Sequence, residues 1–428
     1  MRPSKYPVPG WFVRGALVGL GLWLAWRITV GGMAQWYAGQ ETPPAVNAAL
    51  TWYPRHPEAL RRAAEQRAVR DLPEAERMLH EAVRANPADG RALMDLAQLW
   101  RMQDPKKDRA DRALELAGQL SPAAPGVHER AADRWLERGD LQRAVDHWDL
   151  ALQIQPELAE RLFPVLLSLA GRPSGKAALR ASAHELPKWW SQFFIYAATH
   201  VAQMDTLRAL FILRRSAGEP LNDAERSAFV ARLQREGLWT EAYLMWLNTL
   251  APEQLAVAGN VYDGGFELGL FQQGFDWQVA QRGSVVVETG QTYAIVGHKA
   301  LHVVFQDRPA HGPIIEQLLA LSPGDYRLSG RARAENLQTA NGLEWLLSCA
   351  AGERRTLASS ERFLGADQWR EFTVDFTVPT VDCGGQRLHL QVAGRYPQEL
   401  TATGEIWFDA LVIEVRRGRS RPSNGAQG

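Results

Sequence analysis

Three short stretches late in the chain carry polar side chains at every second position. In QRLHLQVAG, Arg387, His389 and Gln391 alternate with Leu388, Leu390 and Val392. In YRLSGRARAE, Arg327, Ser329, Arg331 and Arg333 oppose Tyr326, Leu328 and Ala332. In GLEWLLSCAA, Glu344 and Ser348 oppose Trp345, Leu347 and Cys349. A β-strand turns successive side chains to opposite faces, so each stretch presents one polar and one apolar row. If the rows line one sheet, Arg331, Arg333, Glu344, His389 and Gln391 form a platform. Its donors and acceptors suit hydroxyls or the carboxylates of an acidic polysaccharide. A solvated outer face with ordinary ion pairs produces the same pattern. No aromatic side chain clearly joins the rows, because Trp345 and Trp407 both fit an apolar core.

Residues for catalysis are harder to find. The chain has no GxSxG, HExxH, P-loop or dinucleotide fingerprint. Any two of its 48 acidic residues could meet in the fold, so sequence alone leaves paired carboxylates for glycoside hydrolysis open. The expectation is a protein that is not an enzyme and acts by binding.

The elements that must position these residues begin with a membrane segment. WFVRGALVGLGLWLAWRITV, residues 11–30, has a charge-free middle from Gly15 to Trp26. Arg14 and Arg27 stand about 20 Å apart along a helix and can snorkel outward to bracket a hydrocarbon core of about 30 Å. Trp11, Trp23, Trp26, Trp36 and Tyr37 cluster toward the ends, as interfacial anchors do. Arg2, Lys5 and Arg14 precede the core, whereas only Arg27 follows it before Arg55. That asymmetry predicts a cytoplasmic N-terminus over residues 1–10, a single inner-membrane span over 11–34 and a periplasmic bulk. GGMAQ offers a small-x-small cleavage site after Ala34, so a cleaved signal peptide is the alternative. Basic and acidic residues balance at 48 each, which leaves no overall field to draw in nucleic acid.

Residues 41–256 read as helix. Pro54, Pro87, Pro122 and Pro156 lie 33, 35 and 34 residues apart, each closing a helical run. In the last unit Ala132, Trp135, Gly139, Ala144, Trp148, Ala151 and Pro156 follow one another at fixed offsets. Small residues let two helices approach, tryptophans fill the space beside them, and Gly139 makes the turn. Over residues 41–156 this resembles the tetratricopeptide repeat, and Ala209 and Ala242 extend a weaker period. The resemblance implies a solenoid whose concave face holds a protein partner. A plain spacer is the other reading. Asn222 or Asp223 is the expected N-cap of the last helix pair.

After Leu255 the pattern changes to short alternating runs: SVVVE, KALHVVFQ, DYRLSGRARAE, GLEWLLSCAA, WREFTVDFTVP, QRLHLQVAG and EIWFDALVIEV. LSPGDYRL, GADQW and ATGEIW supply turns. The expected fold is therefore multidomain: a transmembrane helix, an all-α solenoid, then an all-β sandwich over residues 258–416 and a solvated tail over 417–428. GGFELG with Trp277, then HKALHV, LSPGDYRLSGRARAE, WREFTVDFTVP and GEIWFDALVIEV, resembles in that order the jelly-roll carbohydrate-binding modules of bacterial xylanases and cellulases. The resemblance covers about Asn260 to Arg416 and implies a structural calcium held in part by Glu267 and Asp409. Calcium takes six to eight oxygens, so backbone carbonyls would supply the rest.

Cys349 and Cys383 are the only cysteines. Outside the membrane such a pair tends to be bridged, with buried free thiols as the alternative. Closing a loop of about 34 residues stabilises by roughly 3–4 kcal/mol in the chain-entropy view. Anchor, repeat arm and glycan-module-like tip together resemble membrane-anchored tetratricopeptide proteins of bacterial exopolysaccharide synthesis and secretion. The implied role is a periplasmic scaffold whose partners are an envelope polysaccharide and a protein of the assembly or secretion complex. The other implied roles are an assembly factor for a secretion or pilus system, or a polysaccharide-active envelope enzyme.

Overall fold

The computed structural model describes residues 10–416 except 41, 104–107, 280–282, 352–354 and 367. The expected tail, and the expected cytoplasmic N-terminus apart from Gly10, lie outside the described residues. The chain divides into two compact units, one ending at Pro220 and one beginning at Leu221.

The described part of the first unit is helical: α1 (Gly10–Ala38), α2 (Pro43–Trp52), α3 (Pro57–Arg67), α4 (Leu72–Ala85), α5 (Gly90–Gln103), α6 (Asp108–Leu120), α7 (Pro125–Arg138), α8 (Leu141–Ile154), α9 (Ala159–Ala170), α10 (Pro173–Glu185), α11 (Trp189–His200) and α12 (Met204–Arg215). Of α1, residues Arg14–Ala38 are long and apolar enough to cross a membrane. Its last turn is different: Ala38 packs with Ala49 of α2 and Ala59 of α3, and Ala34 is buried.

Helices α3 and α4, α5 and α6, and α7 and α8 pack in sequential pairs. The residues singled out in the last pair do what their sizes require. Ala132, Ala144 and Ala151 are fully buried, and Trp135 and Trp148 fill the space beside them. Gly139 ends α7 in the left-handed region, φ 78°, which costs a residue without a Cβ nothing. Asp140 then caps α8, accepting from the Arg143 N–H at 3.2 Å. Pro156 opens a 3₁₀ turn. Ala75, Ala82, Ala110 and Ala117 are buried at the related positions. Helices α5 and α6 approach tightly at Gly90, where a Cβ would stand 2.2 Å from the Ala117 carbonyl oxygen.

The second unit begins with α13 (Asp223–Arg235), α14 (Trp239–Leu247) and α15 (Pro252–Ala256). The division at Pro220 thus falls inside the stretch read as one helical arm. Asn222 caps α13 in a reciprocal box with Glu225. Two tryptophans explain why these helices belong with the sandwich. A Cβ on Gly385 would stand 2.2 Å from Trp239 Cδ2, and one on Gly274 would stand 2.3 Å from Trp246 Cδ1. Only glycine lets those loops lie against the indoles.

The strands are β1 (Gln278–Val279), β2 (Val285–Gly290), β3 (Ala300–Pro309), β4 (Ile315–Leu319), β5 (Gly324–Thr339), β6 (Leu343–Cys349), β7 (Thr356–Ser359), β8 (Arg370–Val378), β9 (Gln386–Val392) and β10 (Thr401–Val415). They form two antiparallel sheets, ordered β1-β4-β9-β6-β7 and β2-β3-β10-β5-β8. All seven stretches expected as strands are strands, and β1, β4 and β7 complete the sheets. The inner faces enclose one core that includes Phe266, Trp277, Trp345, Phe363, Phe372 and Phe408. Cys349, at the end of β6, is bonded to Cys383.

Candidate functional site

The two sheets separate the residues expected to form one platform. Glu344, His389 and Gln391 lie on β6 and β9 of the first sheet, whereas Arg331 and Arg333 lie on β5 of the second. The single-platform expectation is corrected here. Each row does face outward, but from opposite sheets, because β5 pairs with β8 and β10 and not with β6 or β9.

On the first sheet, register lines the polar side chains up. His389 stands opposite Glu316 of β4 and Leu346 of β6, and Gln391 stands opposite Glu344. Gln391 Nε2 donates to Glu344 Oε1 at 3.0 Å. That turns the Gln391 carbonyl oxygen toward His389 Nε2, 3.2 Å away, so Nε2 carries the proton. His389 Nδ1 is then an acceptor, buried and without a hydrogen-bond partner. Burial is the main cause holding the His389 pKa below its ordinary value, so the ring is neutral near pH 7. Arg387 on the same face is paired with Glu316 at 2.9 Å. Together Glu316, Arg387, Glu344, His389 and Gln391 are a row of donors and acceptors in two braced sets, Glu316 with Arg387 and His389 with Gln391 and Glu344, and all but His389 are half-buried.

On the second sheet Arg331 and Arg333 hold a loop. Arg333 is 4% exposed. Its guanidinium lies 4.3 Å from the Tyr293 ring centre, 5.7 Å from Trp369 and 5.6 Å from Trp407. Nη2 donates to Thr292 Oγ1 at 2.8 Å, and Nη1 pairs with Glu335 at 2.6 Å. Arg331 Nη1 donates to the Ala294 carbonyl at 3.0 Å, and Trp369 Nε1 donates to the Tyr293 carbonyl at 2.8 Å. With Tyr293 Oη donating to Gln368 Oε1 at 3.3 Å, four bonds tie residues 292–294 to the sheet and the 368–370 segment. Trp407, which fitted a core position in the sequence, lies on this outer face, stacked 3.9 Å from His302. Trp345 is in the core.

Glu267 and Asp409 both meet the following residues, 296–299. Glu267 Oε1 accepts from the His298 N–H at 2.8 Å, and Asp409 Oδ2 accepts from the Val296 N–H at 2.6 Å. Asp409 is fully buried, and its Oδ1 has no hydrogen-bond partner. Among the described residues no group of three or more His, Cys, Asp or Glu side chains forms a metal cluster.

Sequence reasoning missed Glu316, because IEQLL gives no strand signal. It also missed Tyr293, which lies in a loop where no periodicity marks a face, and Trp369, which opens WREFTVDFTVP in phase with the outward Glu371 and Thr373 and so could have been found from that alternation.

The second unit ends in a β-sandwich structurally like carbohydrate-binding modules. No protein-family model and no curated protein matches the chain. Among solved structures, a CBM4 module is similar at 16% identity, over 36% of this chain and 99% of that one, with TM-score 0.28. The CBM22-1 xylan-binding domain from Paenibacillus barcinonensis Xyn10C is similar at 15% identity, over 36% of this chain and 91% of that one, with TM-score 0.25. TmCBM61, solved with β-1,4-galactotriose, is similar at 18% identity, over 37% of this chain and all of that one, with TM-score 0.26.

Proposed function

We propose that this protein is an inner-membrane-anchored periplasmic scaffold. It binds polysaccharide through the first sheet of its sandwich and a protein partner through tetratricopeptide-like helix pairs, and so supports exopolysaccharide assembly or secretion. It acts by binding and not by catalysis. The observation that carries the glycan reading is the outward polar row of two braced sets, Glu316 with Arg387 and His389 with Gln391 and Glu344. Side chains already braced in place lose little freedom when hydroxyls replace water along them. The burial of Ala34 and the packing of Ala38 with Ala49 and Ala59 support an uncleaved anchor, since cleavage after Ala34 would cut through a packed turn. A structural calcium fits Asp409, whose buried Oδ1 lacks a partner, with Glu267 beside the same loop. When bound, the ion would neutralise those carboxylates and fix residues 296–299.

Binding of the full chain to extracellular polysaccharide isolated from producing cells tests the reading. Glu344→Ala with Gln391→Ala should weaken it about tenfold, the loss of roughly one charge-assisted hydrogen bond. The sandwich should stay folded, with its melting temperature lowered only by the cost of the His389 Nε2–H left without its Gln391 acceptor, about 1–3 kcal/mol. Equal binding by variant and parent would remove the site from this sheet.

A further inference from the structure

The second unit contains a hollow that the sheet-face reading does not use. It lies between α13, α14 and the 262–276 segment, has a volume of about 280 Å³, and is lined by Arg226, Trp246, Gln254, Tyr262, Phe271 and Asp276 among others. Its walls are fixed by unusual backbone. Asp276, 3% exposed, accepts from the Phe271 and Gln272 N–H groups at 2.7 and 3.0 Å and from the Trp277 N–H at 2.7 Å. Those bonds hold a loop with Gln272 at φ 57° and Gly274 at φ 63°. Trp246 backs that loop and meets Tyr262 edge-on, ring centres 4.9 Å apart.

Two features point to a ligand. Tyr262 is anchored by its backbone: its N–H donates to Gln317 Oε1 at 3.0 Å, and its carbonyl accepts from Gln317 Nε2 at 2.8 Å. Yet its hydroxyl is buried beside Gln254 and Asp276 without a well-formed hydrogen bond. A buried hydroxyl whose one polar neighbour, Gln254, makes no well-formed bond to it is under-satisfied, which costs stability. Meanwhile Phe271, a large apolar side chain on the wall, is 54% exposed.

We infer that this hollow is a second saccharide site, taking one neutral pyranose ring. An apolar sugar face would lie on Phe271, and ring hydroxyls would meet Tyr262 Oη, the Gln254 carboxamide and Asp276. Charge favours a neutral sugar. Arg226 is already engaged by Asp223 and by the Leu221 carbonyl at 3.0 Å, and the Asp276 carboxylate would repel a uronate. The inference rests on the glycan-binding reading but on none of its sheet residues.

The test uses the full chain in lauryldimethylamine oxide micelles, since sugar-headed detergents would compete. The probes are glucose, galactose, mannose, N-acetylglucosamine, cellobiose, N,N′-diacetylchitobiose and galacturonic acid, titrated calorimetrically. At least one neutral probe should bind saturably, and Tyr262→Phe and Phe271→Ala should each weaken it at least about fivefold. Tyr262→Phe should melt no lower than the parent, because the hydroxyl it removes makes no well-formed hydrogen bond. Glu344→Ala with Gln391→Ala should leave the small-sugar titration unchanged. Absence of saturable binding by every neutral probe, parent-like affinity in both pocket variants, or tighter binding of galacturonic acid than of galactose would each overturn the inference. Polymer binding that depends on Glu344 and Gln391 would survive any of those results, so the two readings fail separately.

Discussion

Replacing Arg333 with alanine separates a ligand-contacting arginine from a structural one. The guanidinium makes a charge-assisted bond to Thr292 Oγ1 and an ion pair to Glu335, and it stacks among Tyr293, Trp369 and Trp407. Charge-assisted bonds contribute roughly 1.5–3 kcal/mol each, and a desolvated cation–π contact about 1–2 kcal/mol. Against this stands Arg333 Nε, buried without a partner, whose desolvation cost of roughly 1–3 kcal/mol disappears with the side chain. The net loss should be about 2–3 kcal/mol. A domain of 150–250 residues loses about 2–4 °C in Tm per kcal/mol, so the sandwich transition should fall by about 4–12 °C. Arg331 is only partly buried, so losing its bond to the Ala294 carbonyl and its contact with the Trp369 ring, 5.1 Å away, should cost less, about 1–2 kcal/mol. Differential scanning calorimetry of the full chain in micelles, alongside polysaccharide binding, measures both effects. An unchanged sandwich transition in Arg333→Ala, with polysaccharide binding lost, would refute the loop-clamp assignment and make Arg333 a ligand contact.

Three further outcomes are expected. Ala144→Trp should lower the melting temperature of the helical unit, because Ala144 is fully buried and overpacking typically costs about 1–3 kcal/mol; unchanged helical melting by far-ultraviolet circular dichroism would contradict the packing described. The helical unit should also lose stability as pH falls from about 6.5 to about 4. His147 is held down to about 4 by burial first, then by His128 and Arg143, so the unfolded chain takes up a proton in that window that the folded one refuses. His147→Gln should flatten the profile, and a flat parent profile would contradict it. Calcium added to chelator-treated protein should raise the sandwich transition, and Asp409→Asn should abolish the rise; a transition indifferent to calcium would exclude the structural ion.

Much of this architecture is local in origin. The prolines and buried alanines recur because each helix pair solves the same packing problem, and small residues at the crossing are visible without knowing what they touch. Strand faces were equally legible: alternation in QRLHLQVAG and YRLSGRARAE follows from the backbone pleat alone, and both rows do face outward. The pairing of Cys349 with Cys383 followed from their being the only two cysteines of a chain read as extracytoplasmic. What alternation does not carry is the identity of the neighbouring strand. IEQLL becomes β4 only because β1 and β9 bracket it, and its Glu316 enters the site through that pairing. Trp345 and Trp407 both sit in strands, yet one fills the core and the other lies between His302 and Arg333 on an outer face, a difference of strand parity and sheet that neither indole announces. The separation of Arg331 and Arg333 from His389 has the same cause. A side chain's face is fixed by its own backbone, within two residues. Its companions on that face are chosen by hydrogen bonding between strands tens of residues apart, and only the closed sandwich decides which strands those are.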